Sequence, residues 1–309
     1  MIISASRRTD IPAFYAEWFA RRIEAGYCTV VNPFNSKQVT RVSLAPADVD
    51  VIVFWTRNAK PMLPYLSFLD ARKFAYYFQY TITSYPKVLE PNVPSSEEAI
   101  DTFKKLSAQV GAERLIWRYD PICLTNITDC AWHLQKFKLI AEALQGQTKR
   151  VVISIVDNYR KAEQNFRQLA KQGMQVETAT IAEIGPLLQN FAEIAADNNM
   201  EISSCAEVFD LTPYGIKPGK CIDDDYIRQV FGISVYSQKD KGQRPECGCV
   251  QSKDIGVYDT CLHGCAYCYA GTLQMAAKNY KLHDDASPSL LGCYDVAESQ
   301  DRSEQGKLF

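Results

Sequence analysis

The cysteines near the end of the chain are the residues whose spacing most clearly indicates chemistry. Cys261, Cys265 and Cys268 lie in the string CLHGCAYCYA, with spacing C-x3-C-x2-C and an aromatic residue before the third cysteine. Three thiolates this close in one loop can hold three corners of an iron–sulfur cluster. With His263 as a fourth ligand, the same segment could hold zinc instead. The spacing predicts metal ligation and favours the cluster over zinc.

Four further cysteines, Cys205, Cys221, Cys247 and Cys249, lie outside this triplet, and the last two form a C-x-C pair. Four thiolates could hold an auxiliary cluster or a structural zinc ion. Four free thiols in a reducing compartment are equally compatible with the sequence, so both interpretations stay open. The odd total of eleven cysteines and their local clustering argue against a disulfide framework.

The elements that must position these cysteines alternate along the chain. Short runs rich in β-branched and aromatic residues alternate with segments of helical periodicity, which predicts a parallel sheet with crossover helices. The predicted strands are Ile2–Ser6, Cys28–Asn32, Val51–Thr56, Phe74–Thr83, Leu115–Asp120, Val151–Val156 and Glu201–Cys205. The predicted helices are Pro12–Ala25, Ser95–Val110, Thr125–Leu144, Tyr159–Gln172 and Thr180–Asn198.

An eighth strand over Asp254–Thr260, directly before the cysteine triplet, completes the pattern. Eight strand–helix units in this length predict an α/β fold of the (β/α)8 TIM-barrel type, closed or partly open. The alternative is an open, doubly wound sheet. Residues 1–297 then form a single domain that contains the cysteine-rich segment 205–268, with Leu211–Val250 as a long excursion. We expect the polar tail 298–309 to be disordered.

Polar residues follow the predicted strands, at the end where barrel enzymes place their chemistry. These strand ends are Ser6-Arg7-Arg8-Thr9-Asp10, Asn32-Pro33-Phe34-Asn35, Thr56-Arg57-Asn58, Thr81-Ile82-Thr83, Arg118-Tyr119-Asp120, Asp157-Asn158-Tyr159 and Cys205-Ala206-Glu207. Arg118 and Asp120 point to the same face of an apolar strand, and burying them is costly unless each has a partner or a ligand. We predict Arg118, Asp120 and Glu207 as catalytic residues. Arginines bind carboxylate or phosphate in a two-pronged way, so Arg7, Arg8 and Arg57 are predicted to bind an anionic cofactor or substrate.

Composition limits the classes of partner. The net charge of −2 over 309 residues gives no general attraction to nucleic acid or to an anionic membrane. The N-terminus places Arg7 and Arg8 after a short apolar stretch, the reverse of a signal peptide. No window approaches the roughly 18 apolar residues of a membrane span. We therefore expect a cytoplasmic protein that acts on a small molecule and has no membrane partner; the charge disfavours nucleic acid as a partner but leaves it open.

The cysteine triplet resembles the signature of radical S-adenosylmethionine enzymes, and CLHGCAYCYA is similar to the form found in spore photoproduct lyases and their relatives. The resemblance implies a [4Fe-4S] cluster on Cys261, Cys265 and Cys268, with S-adenosylmethionine on its free iron. It also implies that Tyr267 contacts the adenine through its backbone. An electron donor such as flavodoxin or ferredoxin would then be a partner.

The whole chain resembles an uncharacterised bacterial family, domain of unknown function 1848. The matching segments are SASRRTDIPAFY, NPFN, FWTRN, WRYDP and the C-terminal CGC…CLHGCAYCYA. Two features depart from ordinary radical enzymes. Here the triplet follows the last strand instead of the first, as in a circular permutation whose next strand is Ile2–Ser6. The Gly-Gly-Glu segment that usually binds the methionine amino group is absent, and its equivalent would be Ser4–Arg8.

Three functions are compatible with these residues: a radical-type enzyme, an iron–sulfur redox or sensor protein without adenosylmethionine chemistry, and a zinc-stabilised barrel hydrolase. The polar strand ends favour an enzyme, because an electron carrier needs no substrate pocket. The chain has three histidines and no H-E-x-x-H sequence, which disfavours a metal hydrolase.

Overall fold

Eight parallel strands form the central sheet of the computed structural model, which describes residues 1–157, 160–177 and 179–296. The strands in chain order are β1 (Ile2–Ala5), β2 (Tyr27–Asn32), β3 (Asn35–Ser43), β4 (Val51–Thr56), β5 (Tyr76–Thr81), β6 (Leu115–Ile122), β7 (Arg150–Ile155), β8 (Glu201–Cys205), β9 (Lys217–Gly219) and β10 (Lys253–Asp254). The order across the sheet is β10-β1-β4-β5-β6-β7-β8-β9. The predicted tail 298–309 lies outside the described residues, as do Asn158 and Tyr159 from the predicted strand ends.

Helices connect the strands as the sequence periodicity predicts. They are α1 (Ile11–Phe14), α2 (Ala16–Ala25), α3 (Leu66–Ala71), α4 (Ser96–Val110), α5 (Cys130–Ala143), α6 (Arg160–Lys171), α7 (Ile181–Asp197), α8 (Asp224–Phe231) and α9 (Leu273–Tyr280). Short 3₁₀ helices span Lys60–Tyr65, Ala112–Arg114 and Thr212–Tyr214. Ser95 and Glu98 form the capping box that begins α4, which satisfies otherwise unpaired backbone donors. Within the described residues, no helix is both long and apolar enough to cross a membrane.

One predicted strand does not belong to the sheet. Cys28–Asn32 falls in β2, which pairs antiparallel with β3 as a separate hairpin. The segment Asn32–Asn35 is therefore the turn of this hairpin and not an edge of the active-site mouth, and Phe34 is 94% exposed there. The chain can reverse over Pro33 and Phe34 because a second strand follows at once and supplies a local partner.

The sheet contains one strand that the sequence does not predict, β9, which lies inside the excursion Leu211–Val250. The predicted eighth strand corresponds to β10, which is shorter than predicted. β9 contains Pro218 and only three residues, so it carries no β-branched pattern that would reveal it. β10 spans Lys253–Asp254 instead of Asp254–Thr260. It pairs parallel with β1 through Ile3 and Ser4, so the segment that leads into the triplet does adjoin the first strand.

The strand order establishes an α/β fold and distinguishes between the predicted alternatives. From β1 to β9 the order follows the chain, whereas a doubly wound sheet would change direction partway. β9 and β10 are the two edges, and within the described part of the chain no strand pairing joins them. The predicted barrel is thus not closed by backbone hydrogen bonds.

The two faces of the sheet bury different cores. On β4, Ile52 and Phe54 pack with the crossover helices, while Val51 and Val53 pack on the opposite face. That inner face is covered by the excursion Leu211–Val250, with Ile222, Tyr226 and Ile227 among its buried residues. The excursion is therefore not a separate domain, because its apolar side chains cover one of the two faces of the sheet.

Candidate metal and active site

A cavity of about 450 Å³ lies at the C-terminal ends of the strands, and both sets of cysteines line it. Its lining includes Cys261, Cys265 and Cys268 of the triplet and Cys205, Cys221, Cys247 and Cys249 of the second set. The predicted residues Arg7, Arg8, Arg57, Arg118, Asp120 and Tyr267 also line it. Sites on parallel sheets lie at this end of the strands.

The triplet loop is held beside β1 by one carboxylate. Asp254 accepts hydrogen bonds from Ser4 Oγ at 2.9 Å, Ser6 Oγ at 2.6 Å and the Arg7 backbone N–H at 2.9 Å. The backbone N–H of Gly256 also donates to Asp254, at 3.0 Å. The chain that leads into the triplet is thereby tied to the chain that leaves β1.

The loop is also held from its other side. The N–H of Ala266 donates to the carbonyl of Leu89 at 2.9 Å. Asn92 Nδ2 donates to the carbonyl of Leu262, and Asn165 Nδ2 to that of Ala266, both at 2.8 Å. These bonds come from two different crossover segments, so they hold the triplet loop in place on this side.

The triplet thiols lie in a poorly solvated environment. Burial raises the pKa of Cys265 to about 12, with the Arg57 guanidinium opposing the rise. Burial also raises the pKa of Cys261 well above its usual range. Without a cation these two cysteines are therefore neutral thiols, and a bound metal would displace their protons.

Arg57 lies at the centre of a hydrogen-bond network with Glu90 and Tyr267. Its Nη1 donates to Glu90 Oε1 at 2.6 Å, and its Nη2 donates to the Tyr267 hydroxyl at 2.6 Å. The Tyr267 hydroxyl in turn donates to the same oxygen of Glu90. Arg57 is thus already paired, so it supports the triplet loop and does not offer a free charge to a ligand. The Tyr267 ring belongs to this network, while its predicted adenine contact involves only its backbone.

His263 lies inside the triplet but is not free to bind zinc. Its Nε2 lies 2.8 Å from Asp10 Oδ2, and its Nδ1 lies 3.4 Å from the carbonyl oxygen of Asn92. Asp10 also accepts from the backbone N–H of Arg57 at 2.7 Å. Both ring nitrogens of His263 face acceptor oxygens, which disfavours the zinc alternative.

The second set of cysteines gathers under Arg118. Cys205 Sγ lies 3.0 Å from Cys221 Sγ, and Arg118 Nη1 donates to Cys221 Sγ at 2.8 Å. The hydrogen bond from Cys221 lowers the pKa of Cys205 to about 7, with Arg118 acting in the same direction against burial. Hydrogen bonds from Cys221 and Cys247 lower the pKa of Cys249.

Arg118 and Asp120 form the buried pair that the strand pattern predicts. Arg118 Nε donates to Asp120 Oδ2 at 3.0 Å, and Ser154 Oγ donates to Asp120 Oδ1. Burial alone would raise the pKa of Asp120, but the Arg118 guanidinium and the Ser154 hydroxyl outweigh burial and lower it. Asp120 therefore stays ionised, and the two charges compensate each other.

Arg7 and Arg118 share the Trp55 ring, each with its guanidinium carbon 5.2 Å from the ring centroid. The charge of Cys249 helps to raise the pKa of Arg7 even though burial opposes it. Among the described residues, the buried atoms Arg7 Nη2 and Thr9 Oγ1 have no hydrogen-bond partner. Both residues line the cavity, so their free donors are available to a bound molecule.

Two predicted residues take less central positions. Glu207 is not among the residues that line the cavity; its Oε1 accepts from the backbone N–H of Ile155 at 2.8 Å. Burial raises its pKa to about 7. Arg8 lines the cavity, with its Nη1 3.5 Å from the Gly256 carbonyl oxygen and its guanidinium carbon 5.2 Å from the Tyr258 ring centroid.

Glu90, Trp55 and Asp254 are site residues that the sequence did not indicate. Glu90 lies in the loop after β5 between two prolines, without any motif, yet it is 3% exposed. Trp55 lies on the opposite face from its neighbour Phe54, where it packs against the second apolar core and contacts Arg7 and Arg118. Asp254 is recognisable in retrospect, because it is the carboxylate of β10 that faces the chain leaving β1.

Comparison with known proteins gives one family match. The family model described as "Domain of unknown function (DUF1848)" matches residues 2–270. No curated protein matches the sequence.

Two solved structures resemble part of the chain. A D-hydantoinase is 10% identical over 66% of this chain and 41% of its own, with a TM-score of 0.29. A dihydropyrimidinase from Brevibacillus agri NCHU1002 is 11% identical over 65% of this chain and 38% of its own, with a TM-score of 0.26. The chain spans less than half the length of either, and with both TM-scores below 0.5 neither likeness bears on fold or function.

Proposed function

The chain belongs to the DUF1848 family, and we propose that it is an iron–sulfur enzyme of the radical S-adenosylmethionine type. Cys261, Cys265 and Cys268 would be the ligands of a [4Fe-4S] cluster. The observation that carries the proposal is that these three buried or half-buried cysteines line a cavity shared with Arg8, beside the end of β1. Three thiolates leave one iron of such a cluster without a protein ligand.

The residues of the cavity fit this cofactor pair. When bound, the pair supplies the one-electron cleavage of a sulfonium, which needs a dry and enclosed site. The buried donors Arg7 Nη2 and Thr9 Oγ1 lack protein partners and lie at or beside the position equivalent to the missing Gly-Gly-Glu segment. Together with Arg8 they would bind a carboxylate, since guanidinium groups match its two oxygens.

The Arg118–Asp120 pair would form another part of the wall of the substrate site. Because Asp120 is ionised and paired, it can orient Arg118 and accept hydrogen bonds, but it is a poor proton donor. Arg118 would therefore contribute charge-assisted hydrogen bonds to an anionic or nucleotide-like small molecule. Glu207 would act on this wall only through β7, whose Ile155 N–H it binds.

The cavity favours an enzyme over a redox or sensor protein, which needs no space for a substrate. Zinc hydrolysis is disfavoured because both nitrogens of His263 are engaged. It is also disfavoured by the spacing of the ligands. Within the described residues, three or more candidate ligand atoms lie within 4.8 Å of one another only at Asp223, Asp224 and Asp225, far in sequence from the triplet.

Anaerobic reconstitution tests the proposal. The protein should become brown, bind iron and sulfide, and convert S-adenosylmethionine to 5′-deoxyadenosine when reduced with dithionite. Cys265→Ala should abolish this cleavage and remove about four irons per chain, the content of one [4Fe-4S] cluster. Cys28→Ala, which changes a buried cysteine outside the cavity, is the matched control and should cleave normally. Wild-type protein that binds a single zinc ion and no sulfide would contradict the proposal.

A further inference from the structure

We propose that Cys205, Cys221, Cys247 and Cys249 bind a second iron–sulfur cluster, in the same cavity as the triplet. This site does not depend on radical chemistry at the triplet. It would give one cavity two clusters, one with three cysteine ligands and one with four.

The fold brings the four cysteines together from distant positions. Cys205 ends β8 and is paired in register with Gly219 of β9, and Cys221 follows two residues later. The C-x-C segment returns to the same place: the backbone N–H of Ile222 donates to Cys249 Sγ at 3.4 Å, and that of Val250 to the Ile222 carbonyl at 3.1 Å. The excursion Leu211–Val250 thus closes on itself through these cysteines.

The surroundings of the four thiols are those of a buried anion. Cys221, Cys247 and Cys249 are buried, at 2%, 7% and 2% exposure. Arg118 Nη1 donates to Cys221 Sγ at 2.8 Å, and the Arg7 guanidinium lies with that of Arg118 against the Trp55 ring. Buried guanidinium groups need compensating negative charge. Asp120 compensates Arg118, and the negative charge of a cluster whose irons are bound by these thiolates would compensate Arg7.

The spacing of the sulfur atoms does not match a single tetrahedral zinc ion. Tetrahedral zinc with bonds of about 2.3 Å would hold every pair of sulfurs about 3.8 Å apart. Within the described residues, no three of the four cysteine sulfurs lie within 4.8 Å of one another. Ligands of a cluster bind different irons and stand further apart. The Cys205–Cys221 pair, at 3.0 Å, must separate when the cluster binds.

The experiment uses the full chain with the triplet removed. Cys261→Ala/Cys265→Ala/Cys268→Ala protein is reconstituted anaerobically with ferrous iron and sulfide, and its iron, sulfide and zinc contents and Mössbauer spectrum are measured. We expect about four irons and four sulfides per chain, with the spectrum of a [4Fe-4S] cluster. Further substitution of Cys247→Ser/Cys249→Ser should reduce both contents to background, while further substitution of Cys28→Ser should not.

Three results would overturn the inference: a triplet-free protein without iron, one zinc per chain in place of iron and sulfide, or an iron content that survives Cys247→Ser/Cys249→Ser. Circular dichroism shows whether the multiple variant folds. If it does not, wild-type protein compared with Cys247→Ser/Cys249→Ser gives the same answer, because the variant should lose about four irons per chain. Adenosylmethionine cleavage by wild-type protein is scored separately, so failure of the second cluster and failure of the radical proposal are distinguishable.

Discussion

Nη1 of Arg57 lies 2.6 Å from Oε1 of Glu90, and the two side chains are only 12% and 3% exposed. Glu90→Ala would leave the guanidinium buried without the Glu90 carboxylate and would also remove the acceptor of the Tyr267 hydroxyl. Removing one partner of a buried pair costs about 3–5 kcal/mol. We expect the free energy of unfolding, measured with urea, to fall by this amount. Exposed Glu24→Ala is the control and should change it by less than about 0.5 kcal/mol; an equal loss in both variants would contradict a buried ion pair.

The network around Arg57 also shows what the sequence could predict. Arg57 was indicated by its place at a strand end, because strand ends in α/β proteins converge on one edge of the sheet. The sequence does not indicate its partner Glu90, because Glu90 is a single carboxylate in a loop and most carboxylates in loops are solvated. Long-range pairing of this kind depends on the path of the loop, which local sequence patterns do not encode.

The strand predictions that differ from the structure do so for a similar reason. β2 has the composition of a sheet strand, but whether such a strand joins the sheet or a hairpin depends on its partner. β9 was missed because three residues around Pro218 carry no alternation. Strand existence follows from local propensity, whereas strand partners follow from tertiary contacts. The number of cysteines from Cys205 to Cys249 suggests that these four form one site. The sequence does not show where in the fold that site lies.

Gly256 allows the segment before the triplet to pack against β1. A Cβ at this position would lie 2.1 Å from Ser6 Oγ and 2.6 Å from Ser6 Cβ. We expect Gly256→Ala to destabilise the protein by about 1–3 kcal/mol, the usual cost of overpacking. Limited proteolysis should also cut the cysteine segment faster. In Gly242→Ala, the nearest atom to the new methyl group is a side-chain oxygen of Asp240 at 3.2 Å. The free energy of unfolding of this control should be close to that of the wild-type protein. If Gly256→Ala is as stable as Gly242→Ala, the close contact with Ser6 is relieved by a shift elsewhere.

His133 should make stability depend on pH. It is fully buried, its Nδ1 lies 2.8 Å from the Tyr119 hydroxyl, and burial lowers its pKa from 6.5 to about 4. Between these values the unfolded chain binds the proton more readily than the folded one, so stability falls as pH decreases from 6.5 to 4. The full effect is about 3 kcal/mol. Urea unfolding at a series of pH values should show a shallower dependence in His133→Asn, and identical slopes in both proteins would exclude His133 as the cause.

Arg8 should contribute to ligand binding without contributing to the metal site. It lines the cavity, has the Gly256 carbonyl as a distant 3.5 Å contact, and lies at the position equivalent to the missing Gly-Gly-Glu segment. A lysine keeps the charge but loses the planar, two-pronged geometry for a carboxylate. We expect Arg8→Lys to retain its iron and sulfide but to bind S-adenosylmethionine more weakly by about 2 kcal/mol or more, about 30-fold in Kd. Isothermal titration calorimetry on reconstituted protein measures this, with exposed Arg21→Lys as the control. Unchanged affinity in Arg8→Lys would place the carboxylate elsewhere in the cavity, and the buried donors of Arg7 and Thr9 would then be the groups to substitute next.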